Sequence, residues 1–205
     1  MPDPQSATKR ETTDDRRIAI AAAARALVHE KGFEGLRTRD IAERVGINIA
    51  TLHYHVPTKA ELISLLAETL QADFRQQVVK RPRSHLSGAE QLEAEFVDHY
   101  ELLTEHTELL DVVAELSQRA SRDPALAQLL APLRRNWQTA IAAIFETGRA
   151  DASLKPDLDP QAAALVLIGA LTSFRLSDDP SAENYNRMCD EIRRAFRNPS
   201  HVSGH

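Results

Sequence analysis

Helix-starting motifs recur along the whole of this chain. Two segments, Thr58–Glu61 and Ser87–Glu90, have the form of a capping box, in which a hydroxyl and a carboxylate three residues apart satisfy free amides at a helix start. Three Asp-Pro pairs, at residues 123–124, 159–160 and 179–180, combine a capping side chain with proline at the first helical position. No alternating β-branched or aromatic run is long enough for a convincing strand. We therefore predict an all-α fold of about nine helices.

The first three helices can be delimited from their apolar pattern and their terminators. Ile20, Ala24, Leu27 and Val28 share one face of a helix over about residues 13–31, which Gly32 ends. Two short helices follow, over about residues 39–45 and 49–55, and we expect Thr38 and Asn48 to cap them. In the second half of the chain, Pro132 interrupts a long helical pattern and is expected to kink or split that helix.

The charge is divided unequally along the chain. The 205 residues carry a net charge of −5, which argues against a generally basic, nonspecific nucleic-acid binder. Residues 1–80, however, hold 12 basic and 11 acidic residues, a net charge of +1, so that the remainder carries −6. This asymmetry is compatible with DNA binding by the N-terminal part, and equally with a solvated surface of mixed charge.

Cysteine content and hydropathy restrict the class of protein further. The single cysteine, Cys189, excludes an internal disulfide and cannot alone form a thiolate metal site. No apolar run reaches the roughly 18 residues needed to cross a bilayer, and the first residues are polar rather than signal-like. We expect a soluble, cytoplasmic protein without a cofactor, a metal site or a membrane partner.

The segment 37–56, RTRDIAERVGINIATLHYHV, has the spacing of a helix-turn-helix motif. Ala42 permits two helices to cross closely, Gly46 can take a positive φ at the turn, and Leu52 anchors the second helix. The remaining positions of that helix are then free to enter a DNA major groove. The spacing alone is moderately specific, because many helical corners share it.

The wider segment from about Asp14 to Phe74 resembles the DNA-binding domain of the TetR (tetracycline repressor) family. The resemblance rests on the runs EKGFEGLRTRDIA from Glu30, VGI at Val45 and TLHYHVPTKAEL from Thr51. It implies a DNA-binding domain over residues 14–74 with its motif at 37–56, followed by a helical effector-binding and dimerisation domain over residues 84–198. It covers about 60 residues in sequence, and the C-terminal part only in its helix layout.

The resemblance implies which side chains contact DNA. Arg39 would reach a base edge, most naturally guanine, although it could instead pair with Asp40 or Glu43 on the protein surface. His53 replaces the tyrosine usual in the family at a phosphate-contacting position, and Lys59 would grip a phosphate unless it is merely solvated. The full set of predicted DNA contacts is Thr38, Arg39, Asn48, Ile49, Ala50, Thr51, His53, Tyr54, His55 and Lys59. Thr38 could act equally well as a helix cap.

Two apolar stripes near the C-terminus suggest a homodimer. Residues 162–170 contain no charge and are apolar nearly all round, so this helix needs cover on both sides. A second stripe follows at helical spacing on the last helix. We predict an interface formed by Leu167, Leu171, Phe174, Tyr185, Met188, Cys189, Ile192 and Phe196, in a four-helix arrangement. The alternative is a monomer whose own core holds both stripes.

A small-molecule pocket is expected between the helices of residues 88–149, where apolar walls carry a few polar groups. The candidates are Phe96, His99, Tyr100, Leu103, Leu110, Val113, Asn136, Trp137 and Phe145, although ordinary core packing accounts for nearly all of them. No nucleophile, base and orienting group stand at recognisable spacing, so catalysis has no positive support.

These features together predict a transcriptional regulator that is not an enzyme. It would bind a palindromic operator as a homodimer and respond to a small-molecule effector; repression rather than activation is implied by the resemblance. Two alternatives have no DNA role: an all-α ligand carrier or enzyme, and a helical module that binds a different protein chain.

Overall fold

A computed structural model describes residues 12–200, with the side chains of residues 77 and 78 left aside. Within that part of the chain the structure has nine α-helices, one 3-10 turn and no strand, which confirms the all-α prediction. A single isolated bridge joins Leu154 and Arg197. The helices are α1 (Thr13–Lys31), α2 (Thr38–Val45), α3 (Ile49–His55), α4 (Lys59–Lys80), α5 (Gly88–Thr104), α6 (Thr107–Ala120), α7 (Pro124–Ala150), α8 (Pro160–Phe174) and α9 (Ala182–Phe196), and the 3-10 turn is Phe33–Gly35.

The chain divides into two compact units. Among the described residues, the first unit contains residues 12–70 and 111–130, and the second contains residues 71–110 and 131–200. The helices α4, α6 and α7 each contribute residues to both units. The partition differs from the predicted one, at 14–74 and 84–198, because most of α6 and the start of α7 belong with the N-terminal helices.

Helix α1 begins and ends where the sequence predicted. Thr12 accepts a hydrogen bond from the amide of Asp15, whose carboxylate accepts one from the amide of Thr12, so a capping box starts the helix. Gly32 ends it with φ at 70°, in the region that favours glycine. The predicted face of Ile20, Ala24, Leu27 and Val28 is buried.

The turn between α2 and α3 depends on one glycine. Gly46 has φ 73° and ψ 33°, a left-handed conformation, and the amide of Ile47 donates to the carbonyl of Ala42 at 2.9 Å. A Cβ placed on Gly46 would meet no atom within 4 Å, so the backbone conformation alone accounts for glycine here. The prediction that Thr38 caps α2 is wrong: Thr38 is the first helical residue, and Arg37 precedes it without a side-chain cap.

Polar side chains cap the helices α5, α8 and α9 of the second unit. For α9 the capping residue is not the predicted one. Ser87 and Glu90 form the expected capping box of α5, and Asp159 accepts bonds from the first amides of α8. Asp179 and Pro180 do not open α9; Ser181 caps it instead by accepting a bond from the amide of Asn184. The serine lies at the junction itself, so its cap prevails over the upstream aspartate, which accepts from the side chain of Asn184 at 2.7 Å.

Helix α7 runs unbroken through Pro132, so the proline does not split it. Near its end α7 approaches the start of α5 so closely that a Cβ on Gly88 would lie 2.2 Å from the backbone of Gly148. Asp151 and Ser153, just beyond α7, accept hydrogen bonds from the amides of Gly88 and Ala89. The N-terminus of α5 is thereby fixed against the end of α7.

The stripes predicted to face a partner lie in the core of the second unit instead. Leu167 and Leu171 of α8 are fully buried, and Phe145 of α7 packs edge-on against Phe196 of α9 at 4.9 Å between ring centroids. The predicted residues Phe174, Tyr185, Cys189, Ile192 and Phe196 are buried in the same cluster, and Met188 packs against it half-buried. Packing within the subunit accounts for these side chains, which is the alternative given above for the two stripes.

No helix among residues 12–200 is both long enough and apolar enough to cross a membrane.

Candidate nucleic-acid interface and effector cavity

Helix α3 is held in the first unit by one apolar side chain and by bonds at both ends. Leu52 is the buried residue of this seven-residue helix. At its start the side chain of Asn48 accepts a hydrogen bond from the amide of Thr51 at 2.7 Å, as predicted for a cap. At its end the guanidinium of Arg17 in α1 donates to the carbonyl of His55 at 2.7 Å. Arg17 was not among the predicted site residues, because nothing in the sequence pattern connects α1 with the end of α3.

The remaining side chains of α3 face outward. Ile49, Ala50, His53 and Tyr54 are exposed, and Tyr54 has 78% of its surface accessible. Thr51 and His55 are half-buried. Such large exposed side chains add nothing to the packing of the helix, so this face is available to another molecule.

The two histidines of α3 have different surroundings. Nδ1 of His53 lies 3.3 Å from the carbonyl oxygen of Pro57, to which it can donate, which leaves Nε2 exposed to a ligand. The ring of His55 packs edge-on against Tyr54 at 5.1 Å between centroids. His53 is thus next to the backbone of Pro57, whereas His55 packs against Tyr54.

The basic side chains beside α3 differ in their partners. Arg39 is exposed at the start of α2, and no ion pair among the described residues involves it. Its possible partner Asp40 lies 3.8 Å from Lys31 instead. Arg44, one turn further along α2, donates two hydrogen bonds of 2.8 Å to the carboxylate of Glu30. Thr38, Arg39 and Lys59 are thus exposed at the starts of α2 and α4, the helices before and after α3. Arg44 instead binds Glu30 of α1.

Lys59 has an aromatic neighbour within the first unit. Its ammonium lies 4.4 Å from the centroid of Phe33, close enough for a cation–π interaction. The guanidinium of Arg119 in α6 is 5.5 Å from the same ring. The amide of Phe33 donates to the carboxylate of Glu115 at 2.9 Å, and His29 lies 3.0 Å from Asp111. Helix α6 therefore contacts both the end of α1 and the turn that follows it.

The second unit contains a cavity of about 250 Å³. It is lined by Tyr100, Leu103, Thr104, Thr107, Leu110, Phe174, Arg175 and Pro180. Three of these, Tyr100, Leu103 and Leu110, were among the predicted pocket residues. Of the other five, Thr104 ends α5 and Thr107 begins α6, while Phe174, Arg175 and Pro180 lie at or after the end of α8, which no periodic pattern connects with α5.

The remaining predicted pocket residues lie elsewhere. Phe96 and Phe145 are in the core of the second unit, with Trp137 packed half-buried against it, and Asn136 is exposed. Val113 is half-buried in the first unit. These positions form no part of the cavity lining, and their apolar character is accounted for by ordinary packing, as the sequence analysis allowed.

His99 of α5 is buried and is not part of the cavity lining. Its Nδ1 lies 3.2 Å from the hydroxyl of Tyr185, which itself donates to the carbonyl of Phe96 at 2.9 Å. Burial, and then the positive charge of Arg175, lowers the pKa of His99 to about 4. His99 is therefore neutral near pH 7 and is suited to holding α5 against α9.

A buried ionic cluster joins the start of the second unit to α5. Arg83 donates to Glu95 at 3.0 Å and also to Asp98, which in addition accepts from Arg81. Burial raises the pKa of Glu95 despite the adjacent guanidinium. The cluster satisfies charges that burial would otherwise make costly, and it fixes α5 to the segment that follows α4.

Two further groups of reactive side chains lie in the second unit. Glu101, Glu105 and His106 bring ligand atoms within 4.8 Å of one another, but Glu101 is already bound by Arg81. Burial raises the pKa of the Cys189 thiol to about 11, which makes it a poor nucleophile. Neither group has the arrangement of a catalytic site.

Comparison with known proteins agrees with the resemblance in the N-terminal domain. Residues 20–66 match the family model described as bacterial regulatory proteins, tetR family. The HTH-type transcriptional regulator CymR of Pseudomonas putida is 28% identical over 130 residues, which are 61% of each chain. The chain therefore spans about three fifths of the length of this curated relative.

Solved structures share the fold over most of the chain. A putative TetR-family transcriptional regulator from Rhodococcus sp. superimposes with a TM-score of 0.75 at 22% identity, over 88% of this chain and 96% of that one. The structure of AibR in complex with isovaleryl coenzyme A and operator DNA gives a TM-score of 0.68 at 19% identity, over 90% and 99% of the two chains. Residues 20–66 thus match the TetR family of bacterial regulatory proteins in sequence, and most of the chain shares the fold of these solved structures.

Proposed function

We propose that this protein is a DNA-binding transcriptional regulator, acting as a repressor that binds a palindromic operator as a homodimer and is released by a small-molecule effector. The observation that carries this proposal is the outward face of α3. This helix buries only Leu52 and exposes side chains with hydrogen-bonding groups, within a domain that matches the TetR family. The AibR structure, which contains operator DNA, supports the same use of the fold.

The contacts proposed for DNA follow from chemistry and exposure. Arg39 is exposed and without an ion pair among the described residues, so its guanidinium is available for a bidentate bond to guanine. Exposed Ile49, Ala50 and Tyr54, with half-buried Thr51, would meet bases and sugars. Thr38, Asn48, His53, His55 and Lys59 complete the proposed set as phosphate contacts or as residues that position α3. Arg17 is a positioning residue, since its bond goes to the α3 backbone.

The homodimer is proposed to form through the outer face of α8. Leu165 and Val166 expose 58% and 59% of their surfaces on this face. Helix α8 contains no charged residue over its full length, Pro160–Phe174, and its exposed positions from Ala162 to Gly169 carry no polar side chain. A second copy of the same face is the simplest apolar cover, since a symmetric dimer brings identical patches together.

The effector is proposed to bind in the cavity of the second unit. Helix α6 connects the cavity with the contacts of α1. Its residues Thr107 and Leu110 line the cavity. Further along the same helix, Asp111 binds His29, and Glu115 binds the amide of Phe33. A ligand that stabilises one position of α6 would change the contacts that α6 makes with α1 and the following turn. The affinity for the operator would change as a consequence. The coupling expected for such a switch is about 1–3 kcal/mol.

Selection of duplexes from a random pool by the purified protein tests the proposed function. Enrichment of a palindrome whose half-sites lie about one helical turn, roughly 34 Å, apart is the expected result. If no sequence is enriched and binding stays weak at low salt, the proposed DNA function is wrong.

A further inference from the structure

The cavity of the second unit has a lining of uneven polarity. Arg175 is the one charged residue among the eight that line it, and none of the eight is acidic. Leu103, Leu110, Phe174 and Pro180 provide apolar surface. The hydroxyl of Thr104 donates to the carbonyl of Tyr100 within α5, so its hydrogen is already committed. A ligand of this cavity therefore meets one cationic donor and otherwise mainly apolar walls.

The positive charge of Arg175 acts on the interior of the unit. Burial, and then the charge of Arg175, lowers the pKa of His99 to about 4, so His99 is neutral near pH 7 and adds no second charge. Arg175 thus brings a positive charge to a lining without an acidic residue, and such a lining favours an anion over a cation.

Aromatic packing fixes the apolar walls. The rings of Tyr100 and Phe174 each lie 5.0 Å from the ring of Tyr185, at interplanar angles of 45° and 79°. The hydroxyl of Tyr185 is itself bound to the carbonyl of Phe96, so the central ring is held in place. The walls are consequently preformed, and a ligand needs a small apolar body to fill the space between them.

We propose that the effector is a small organic acid, with a single carboxylate on Arg175 and an apolar body between Tyr100, Phe174 and the two leucines. A guanidinium matches a carboxylate in geometry and charge. A doubly charged phosphate ester would leave one charge uncompensated in an apolar space, which is costly. The volume of about 250 Å³ corresponds to about eight water molecules, so the acid must be small.

This inference rests on the proposed function, because it names the effector class of the proposed cavity. The test uses matched pairs of acid and neutral amide: benzoate with benzamide, phenylacetate with phenylacetamide, and hexanoate with hexanamide. Binding to the full-length protein is measured by calorimetry at neutral pH without DNA. We expect at least one acid to bind about ten- to a hundredfold more tightly than its amide, the ratio typical of a charge-assisted hydrogen bond.

Two substitutions locate the charge. Arg175→Gln should abolish the preference for the acid while leaving the weak binding of the amide, and Arg175→Lys should keep part of the preference because the charge remains. Arg187→Gln, at an exposed arginine of α9 outside the cavity lining, is the matched control and should leave the preference unchanged. The ratio of the affinities for acid and amide, measured on the unsubstituted protein, tests the proposal even if a variant does not fold.

The inference is overturned if no acid binds at millimolar concentration, if amides bind as well as acids, or if Arg175→Gln retains the preference. Failure of the proposed DNA function has a different readout, since it would appear as the absence of an enriched duplex even where acids bind. An acid that binds should in addition lower the affinity for the selected duplex. Acid binding with unchanged operator affinity would overturn its role as effector.

Discussion

Helices α3 and α8 are both only partly covered by the subunit, but they leave different chemistry uncovered. The exposed side of α3 includes His53 and Tyr54, which can donate or accept hydrogen bonds. The exposed side of α8 presents Leu165 and Val166, which cannot. Polar groups aimed outward from a well-held helix fit a hydrated, charged partner such as DNA, whereas aliphatic groups fit a second apolar surface. The exposed side chains of each helix thus indicate the kind of partner that the helix fits.

The largest effect is expected from charge on the outer face of α8. Leu165→Glu would place a carboxylate in the proposed dimer interface and should give a monomer in sedimentation experiments. Because one subunit presents only one α3, operator affinity should fall by about a thousandfold or more, toward nonspecific binding. Val97→Glu is the matched control: Val97 is 53% exposed on α5, outside this face. A Leu165→Glu protein that remains dimeric would place the interface elsewhere.

The next effect separates the buried side of α3 from its exposed side. Leu52→Ala should lower the free energy of unfolding by about 2–5 kcal/mol, because the side chain is fully buried and its removal leaves a cavity. Ile49→Ala removes a similar aliphatic group from the exposed side and should change the same quantity by less than about 0.5 kcal/mol. Urea denaturation measures both. Equal destabilisation by the two variants would show that α3 packs on both sides.

Two arginines of α2 should differ in their effect on operator binding. Arg39→Ala is expected to cost about 1–3 kcal/mol of discrimination at one base pair in each half-site, because a bidentate base contact is lost. Arg44→Ala breaks its bond to Glu30, an exposed ion pair that solvent screens, and should leave base preference unaltered. Fluorescence titration of variant duplexes measures the difference. The assignment fails if both variants shift base preference alike.

A smaller effect is expected at the turn that sets α2 against α3. Gly46→Ala should cost about 1–2 kcal/mol of stability, since an alanine is disfavoured at φ 73° even though its Cβ has free space. Thermal unfolding measures this cost. Unchanged stability would mean that the turn does not need a left-handed residue.

Local signals in the sequence predicted much of the fold. The bounds of α1 and α3, the capping box at Ser87 and the Asp159 cap are each determined by side chains within four residues of the helix start or end. Two local predictions were wrong for local reasons. At α9 the serine after Pro180 provides the cap, and at α2 the helix begins one residue before the expected position.

Sequence patterns could not determine which face of an apolar helix is covered. The stripe from Leu167 to Phe174 was recognised as apolar, but it is buried in the core of the subunit. The less regular face with Leu165 and Val166 is exposed instead. The cavity was missed in part for a related reason. Arg175 and Thr107 join it from segments far apart in the chain, and no periodicity connects them with α5.

The most direct test of the central claim is the ratio of affinities for the selected palindrome and a scrambled duplex, measured at several salt concentrations. We predict a ratio of about a thousandfold or more that depends on Arg39 but not on Arg44, and a salt slope reduced by about one in Lys59→Ala. Equal affinity for both duplexes, with no dependence on Arg39, would contradict the assignment of the exposed face of α3 to operator DNA.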